Sequence, residues 1–277
     1  MQPILLHLVA ALLYGALGVW FWQNSRNRSS GSPRTFMGRP ERIVLLGALA
    51  VHGVGLYLTL FPDESMRFGF GPAISMMVWL AICFYWIETL YTPRLDGMHA
   101  LILPAGLIAS LIPIVLPGQH VLVNAGSPAF RAHFIVAMLA YSLFTLAALH
   151  AMLMAVAERQ LHSGARLSRS IANLPPLMTM EALLFRLIGI AFVLLTLTLA
   201  SGIAFSETLF GQPLRLDHKT IFAFTSWLLF GLLLMGRRLW GWRGRKALRW
   251  TLAGFIALIL AYVGSRFVIE FLLNRAA

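Results

Sequence analysis

Cysteine and acidic residues are nearly missing from this sequence. The single thiol, Cys83, lies inside an apolar run. A disulfide framework, a CxxC redox pair and a zinc cluster are thereby excluded. Ten Asp and Glu among 277 residues, against 22 Lys and Arg, leave no carboxylate pair for acid–base work. There is likewise no phosphate-cradling glycine loop, no HExxH and no Ser/His/Asp order. Charge of either sign is sparse, at 12% of residues, where a soluble domain carries about 25%. A water-soluble fold is excluded on that ground.

What the chain has instead is apolar length. Hydrophobic residues make up 59% of the sequence and the mean hydropathy is +0.78. Runs long enough to span a bilayer cover approximately 3–22, 43–61, 71–91, 99–117, 132–156, 181–204, 219–236 and 249–272. Each is ~27 to 38 Å long as an α-helix. A helix satisfies its own backbone in lipid, whereas a lone strand does not. The sequence therefore predicts an all-α, polytopic membrane bundle of about eight transmembrane helices in a single domain over 1–277. The first run lacks the basic leader of a cleavable signal peptide and is expected to be a retained helix.

The net charge of +12 and pI of 11.2 reflect short basic loops rather than one patch. They read as topology signals, and no nucleic-acid partner is expected. Fifteen Lys and Arg fall in one set of alternating loops, at 26–42, 94, 159–169 and 237–249. Five, Arg67, Arg131, Arg215, Lys219 and Arg275, fall in the other set and the tails. The positive-inside rule puts the first set in the cytoplasm and both termini outside. Arg186 and Arg266 lie within spans. The polar segment SRNRSSGSPRTFMGRPER reads as a cytoplasmic connector, and Asn173 to Pro176 as a turn before span six.

Eight histidines are the remaining chemistry, and depth sorts them. His133 opens span five and His218 opens span seven, both at the outer face. Two neutral imidazoles at one level can fill both axial positions of a haem iron. The same pair also fits plain headgroup-level polar residues. Arg215, Lys219 and Arg266 are candidate partners for the two haem carboxylates, although Glu270, one turn after Arg266, offers an ion pair instead. His52, near the middle of span two, requires an internal ligand or a packing hydrogen bond. His7, His99, His150 and His162 read as interface or packing residues, and His120 as a loop residue. Trp20, Trp22, Trp240, Trp242 and Trp250 form an aromatic belt at the cytoplasmic boundary. The deeper Trp79, Trp86 and Trp227 line the bundle or flank a flat ligand, with lining favoured.

The stretches HFIVAMLAYSLFTLAALHAM, LPPL, FVLLTLTLASGIAF and LDHKTIFAFTSWLLFGLLLMGRRLWGWRGRKALRWTLAGF, then LAYVGSRFVIE, carry a likeness in order and spacing. Over roughly 130–272 the chain resembles the cytochrome c assembly protein family, with its CcsA-, HemX- and YpjD-like members. The resemblance implies a haem-handling inner-membrane protein. It aligns His133 with an outer-face histidine that precedes a tryptophan-rich segment. The matching segment here is FGQPLRLDHKT, where Asp217 and Lys219 are retained, leucines stand for tryptophans and His218 stands for a proline. A second outer histidine would fall near Arg266 to Glu270, and an inner one near Met235, and neither is present.

These departures point away from a complete cytochrome c synthase and towards the YpjD-like branch. The expected role is that of an accessory protein that presents or buffers haem at the outer face. Membrane lipid and cytochrome c assembly components or apocytochrome c are the expected partners. Lacking CxxCH, the chain is not itself a c-type cytochrome. A cofactor-free structural or regulatory membrane subunit and a small-molecule transporter are the alternatives.

Overall fold

The computed structural model describes residues 2–27, 37–63, 66–91, 98–117, 120–122, 125–162, 174, 176–204 and 218–261. Among these residues eight helices follow one another: α1 (Gln2–Asn27), α2 (Arg39–Leu60), α3 (Phe70–Tyr91), α4 (His99–Val115), α5 (Pro128–His162), α6 (Leu177–Ala204), α7 (His218–Trp240) and α8 (Gly244–Ile259). Each overlaps one of the eight apolar runs. Six are long and apolar enough to cross a membrane. The other two are α4, with 17 residues, and α8, described only as far as Ala261. The orientation of the termini rests on loop charge alone.

α1, α5 and α7 begin and end beyond their apolar runs because the backbone stays helical through the polar turn at each membrane surface. Thus α5 begins at Pro128, whose missing N–H costs nothing at a first helical position. His133 is therefore more than a turn inside the helix rather than at its tip. α2 likewise starts with Pro40 in its first turn and Glu41 beside it, facing the positive end of the helix dipole.

α5 organises the bundle. It packs on α3 along one side and on α6 and α8 along the other, while α1 packs on α2 and α4. Of its apolar window 61% is buried, against 22–44% for the other five spans. Small side chains make this possible. Ala137, Ala140, Ala147, Ala148 and Ala151 are buried along α5 and let neighbouring backbones approach. Phe144 of α5 stacks on Phe230 of α7 at 3.9 Å. Gly254 of α8 makes room for that ring, since a Cβ there would come within 2.9 Å of Phe230.

One local feature departs from the all-helical expectation. Two-residue strands, β1 (Arg67–Phe68) and β2 (His120–Val121), pair antiparallel in the links after α2 and α4, with Arg67 opposite Val121. Phe68 is buried and meets Phe134 of α5 edge-on at 5.0 Å. The pair thus ties these links to the N-terminal end of α5.

Candidate functional site

At that end of the bundle, α6 holds the imidazole of His133. Ser201 donates its hydroxyl hydrogen to the carbonyl of Thr198 (3.0 Å), so its oxygen accepts from His133 Nδ1–H (2.8 Å). This assignment puts the second lone pair of the ring on Nε2. A metal-binding histidine is commonly oriented in this way, through a hydrogen bond on its other nitrogen. Gly202 backs the ring, and a Cβ there would sit 3.6 Å from His133 Cε1.

His218 is the first residue of α7 and is exposed. Its height follows from the α6–α7 contact, where Trp227 donates to Thr196 Oγ1 at 2.9 Å and stacks on Phe192. From that level His218 lies nine residues back along α7, and Ser201 five residues forward along α6. At ~1.5 Å per residue, His218 is roughly 6 Å further out than Ser201 and its partner His133. Both histidines are therefore at one end of the bundle. Lys219 follows His218 and is half-buried. Arg215, Asp217 and Arg266 lie outside the described residues.

The same end contains a feature that the sequence reading missed. A cavity of about 720 Å³ opens between the C-terminal end of α2, the start of α3, the strand links and α5. Tyr57, Phe61, Met66, Met76, Phe130 and Phe134 line it, with Arg131 among them. Cavities of this size and lining suit small organic ligands. Arg131 donates from Nε to the carbonyl of Ala125 (2.9 Å). Phe130 and Phe134 share a face of α5 at helical spacing, whereas His133 is turned towards α6. The signal in the sequence was FRAHF itself, but most of the facing wall comes from segments more than fifty residues upstream.

A second polar cluster lies within the α1–α2–α3 group. His52 Nε2 is 2.9 Å from Ser75 Oγ and its Nδ1 is 3.4 Å from Tyr14 OH. His7, read from sequence as an interface or packing residue, meets His52 edge-on at 5.8 Å between ring centres. Thr59 donates to the Gly55 carbonyl and so accepts from His7 Nε2–H at 3.0 Å. Both rings are buried. With both nitrogens of His52 engaged, ligation by it would require one of those bonds to break. Among the described residues no three His, Cys, Asp or Glu come together to hold a metal ion.

The other histidines are distributed singly. His99 Nδ1 is 2.6 Å from Tyr85 OH, and the ring stacks on Phe21 at 4.2 Å. His150 pairs Nδ1 with the Leu146 carbonyl at 3.1 Å and points Nε2 towards Glu88 Oε2, 3.7 Å away. The side chains of His120 and His162 lie outside the described set. Trp79 and Trp86 donate to the carbonyls of Leu49 and Arg42, tying α3 to α2.

Comparison with known proteins places these features in context. A family model described as Cytochrome C assembly protein matches residues 43–273, reaching further towards the N-terminus than the motifs at 130–272. The inner membrane protein YpjD of Escherichia coli (strain K12) is 30% identical over 230 residues, covering 80% of this chain and 83% of the relative. A 28.8 kDa protein in the nifR3-like 5' region of Azospirillum brasilense is 28% identical over 233 residues, covering 82% and 86%. The cytochrome c biogenesis protein CcsA of Prochlorococcus marinus (strain MIT 9301) is 37% identical over 89 residues, covering 32% and 29%. No solved structure gives a significant match.

Proposed function

The chain belongs to the cytochrome c assembly protein family and is a multi-pass inner-membrane protein, and from this we propose that it handles haem for cytochrome c biogenesis. In this reading it is an accessory protein that presents or buffers haem at the end of the bundle where α5 and α7 begin. His133 and His218 would hold the iron through their imidazole nitrogens. Arg215, Lys219 and Arg266 would meet the carboxylates, with Asp217 beside His218 in the sequence LDHK. Assembly components or apocytochrome c receive the haem.

The observation that carries the reading is the setting of His133. Ser201 accepts from Nδ1–H, which makes Nε2 the acceptor nitrogen of the neutral ring, and His218 opens α7, which packs on α6, at the same end. Neutral imidazole is a common donor to haem iron, and cationic side chains suit its two carboxylates. When bound, haem would supply the redox-active iron, and the chain's part is to orient it and hold its charge. Ser201 fixes one ring, while the cavity beside Arg131 opens on a different face of α5 at the same end. His52, whose two nitrogens bond to Ser75 and Tyr14, acts as a packing residue.

The test is an absorption titration of the detergent-purified protein with haem. A Soret band that shifts on binding, and is lost in His133→Ala with His218→Ala, is the expected result. If the wild type takes up no haem, or the double variant takes it up unchanged, the reading fails. One observation favours a cofactor-free docking subunit instead, namely that Leu214 and Leu216 stand in a segment where CcsA-type members are rich in tryptophan. Recovery of a stoichiometric partner with a haem-free preparation would establish that reading.

A further inference from the structure

At the opposite end of the bundle, α7 passes to α8 through Gly241, Trp242 and Arg243, and this turn is built rather than loose. Gly241 has φ +62°, and Trp242 N–H bonds back to the Gly236 carbonyl at 3.2 Å, six residues earlier. The bond reaches one residue further back than the closing bond of a Schellman helix end, while the glycine takes the same left-handed position. Gly236 lies directly beneath the Trp242 ring, where a Cβ would come within 2.4 Å. Lys246 Nζ lies over that ring, 3.7 Å from its centre, and Trp240 and Trp250 are its ring neighbours.

Six cations fall in thirteen residues here, from Arg237 to Arg249. Two carboxylates reach them. Glu181 binds Arg237 and lies 3.9 Å from Arg243, and Glu158 lies 3.6 Å from Arg245. Among the described residues Arg238, Lys246 and Arg249 meet no carboxylate, and all three are exposed. Lys246 and Arg249 are three residues apart and so share a face of α8, while Ala247, Leu248 and Thr251 face the core.

We propose that this face of α8, with the turn before it, binds the phosphate of an anionic phospholipid headgroup. Fixed cations set beside exposed indole and aliphatic side chains, including Trp240 and Leu239, match a ligand whose charge sits directly above its acyl chains. A soluble anion would use only the cations. The mutual fixing of Lys246, Trp242 and Gly236 distinguishes the site from basic loops that serve only to orient a chain in the membrane.

The test is native mass spectrometry of the full chain, delipidated and then offered phosphatidylglycerol or phosphatidylcholine in equal amount. Each basic residue at an anionic surface adds about fivefold, so K246Q with R249Q is expected to lower the phosphatidylglycerol preference about thirtyfold. R67Q, at the other end, is expected to leave the preference unchanged. Equal retention of the two lipids by the wild type overturns the proposal, and this result needs no variant to fold. So does a preference that survives in the double variant, or displacement of the lipid by inorganic phosphate at equal concentration, which would make the site one for a free anion.

Discussion

Replacing Glu181 tests whether the basic end of the bundle is held by a single carboxylate. Glu181 of α6 is 8% exposed, binds Arg237 of α7, and accepts from the N–H of Gly244 at the start of α8 (3.3 Å). Removing one partner of a fully buried pair costs about 3–5 kcal/mol. The Arg237 side chain is 28% exposed and keeps its stacking on Phe185 at 4.0 Å, so about 2–3 kcal/mol is the appropriate part of that range. The orphaned Gly244 N–H adds about 1 kcal/mol. Glu181→Ala is therefore expected to destabilise by about 3–4 kcal/mol. For a chain of this size that lowers the melting temperature by about 7–14 °C. Glu181→Gln keeps an acceptor for the amide and loses about half as much. Thermal melting in detergent followed by size-exclusion recovery measures both, and a double-variant cycle with Arg237→Ala isolates the pair. An alanine variant that melts within about 2 °C of wild type, or a coupling below about 0.3 kcal/mol, would refute the reasoning.

Four other outcomes follow from the packing around single residues. His52→Leu leaves Ser75 Oγ without its imidazole partner in a buried site and is expected to cost about 2–4 kcal/mol. Haem absorbance per folded molecule should be unchanged, and a lost Soret band would make His52 a ligand. Gly71→Ala would place a Cβ 2.0 Å from the backbone carbonyl oxygen of Leu116, separating α3 from the end of α4 at about 1–3 kcal/mol. Gly189→Ala, with open space around it, should change melting little or raise it. Gly241→Ala forces a side chain into a φ of +62° and should cost about 1–2 kcal/mol, read as earlier melting and altered tryptophan fluorescence from the Trp242 cluster.

The helices were legible in the sequence because the requirement behind them is local. A segment in lipid must bond its own backbone and stay apolar for ~20 residues, whatever its neighbours do. The same independence explains why the boundaries slipped at α5. Polar residues such as Arg131 and Gln160 extend the helix without extending its apolar run. Depth along a span was equally legible, so that His133 and His218 could be assigned to one end before any packing was known.

Direction around a helix was not legible in this way. His7 and His52 lie on different spans, 45 residues apart, and whether they meet depends on how α1 rotates against α2. The cavity beside Arg131 needed α2, α3, α5 and two strand links to converge. In the 237–249 stretch every cation carries the same charge on paper, and tertiary structure alone decided which of them Glu181 and Glu158 reach. The sequence by itself determined an all-helical membrane bundle and the level of each polar group within it, since both follow from the solvent. Which polar groups face one another was decided by packing, because contacts between helices depend on rotation and crossing, and hydropathy carries no record of either.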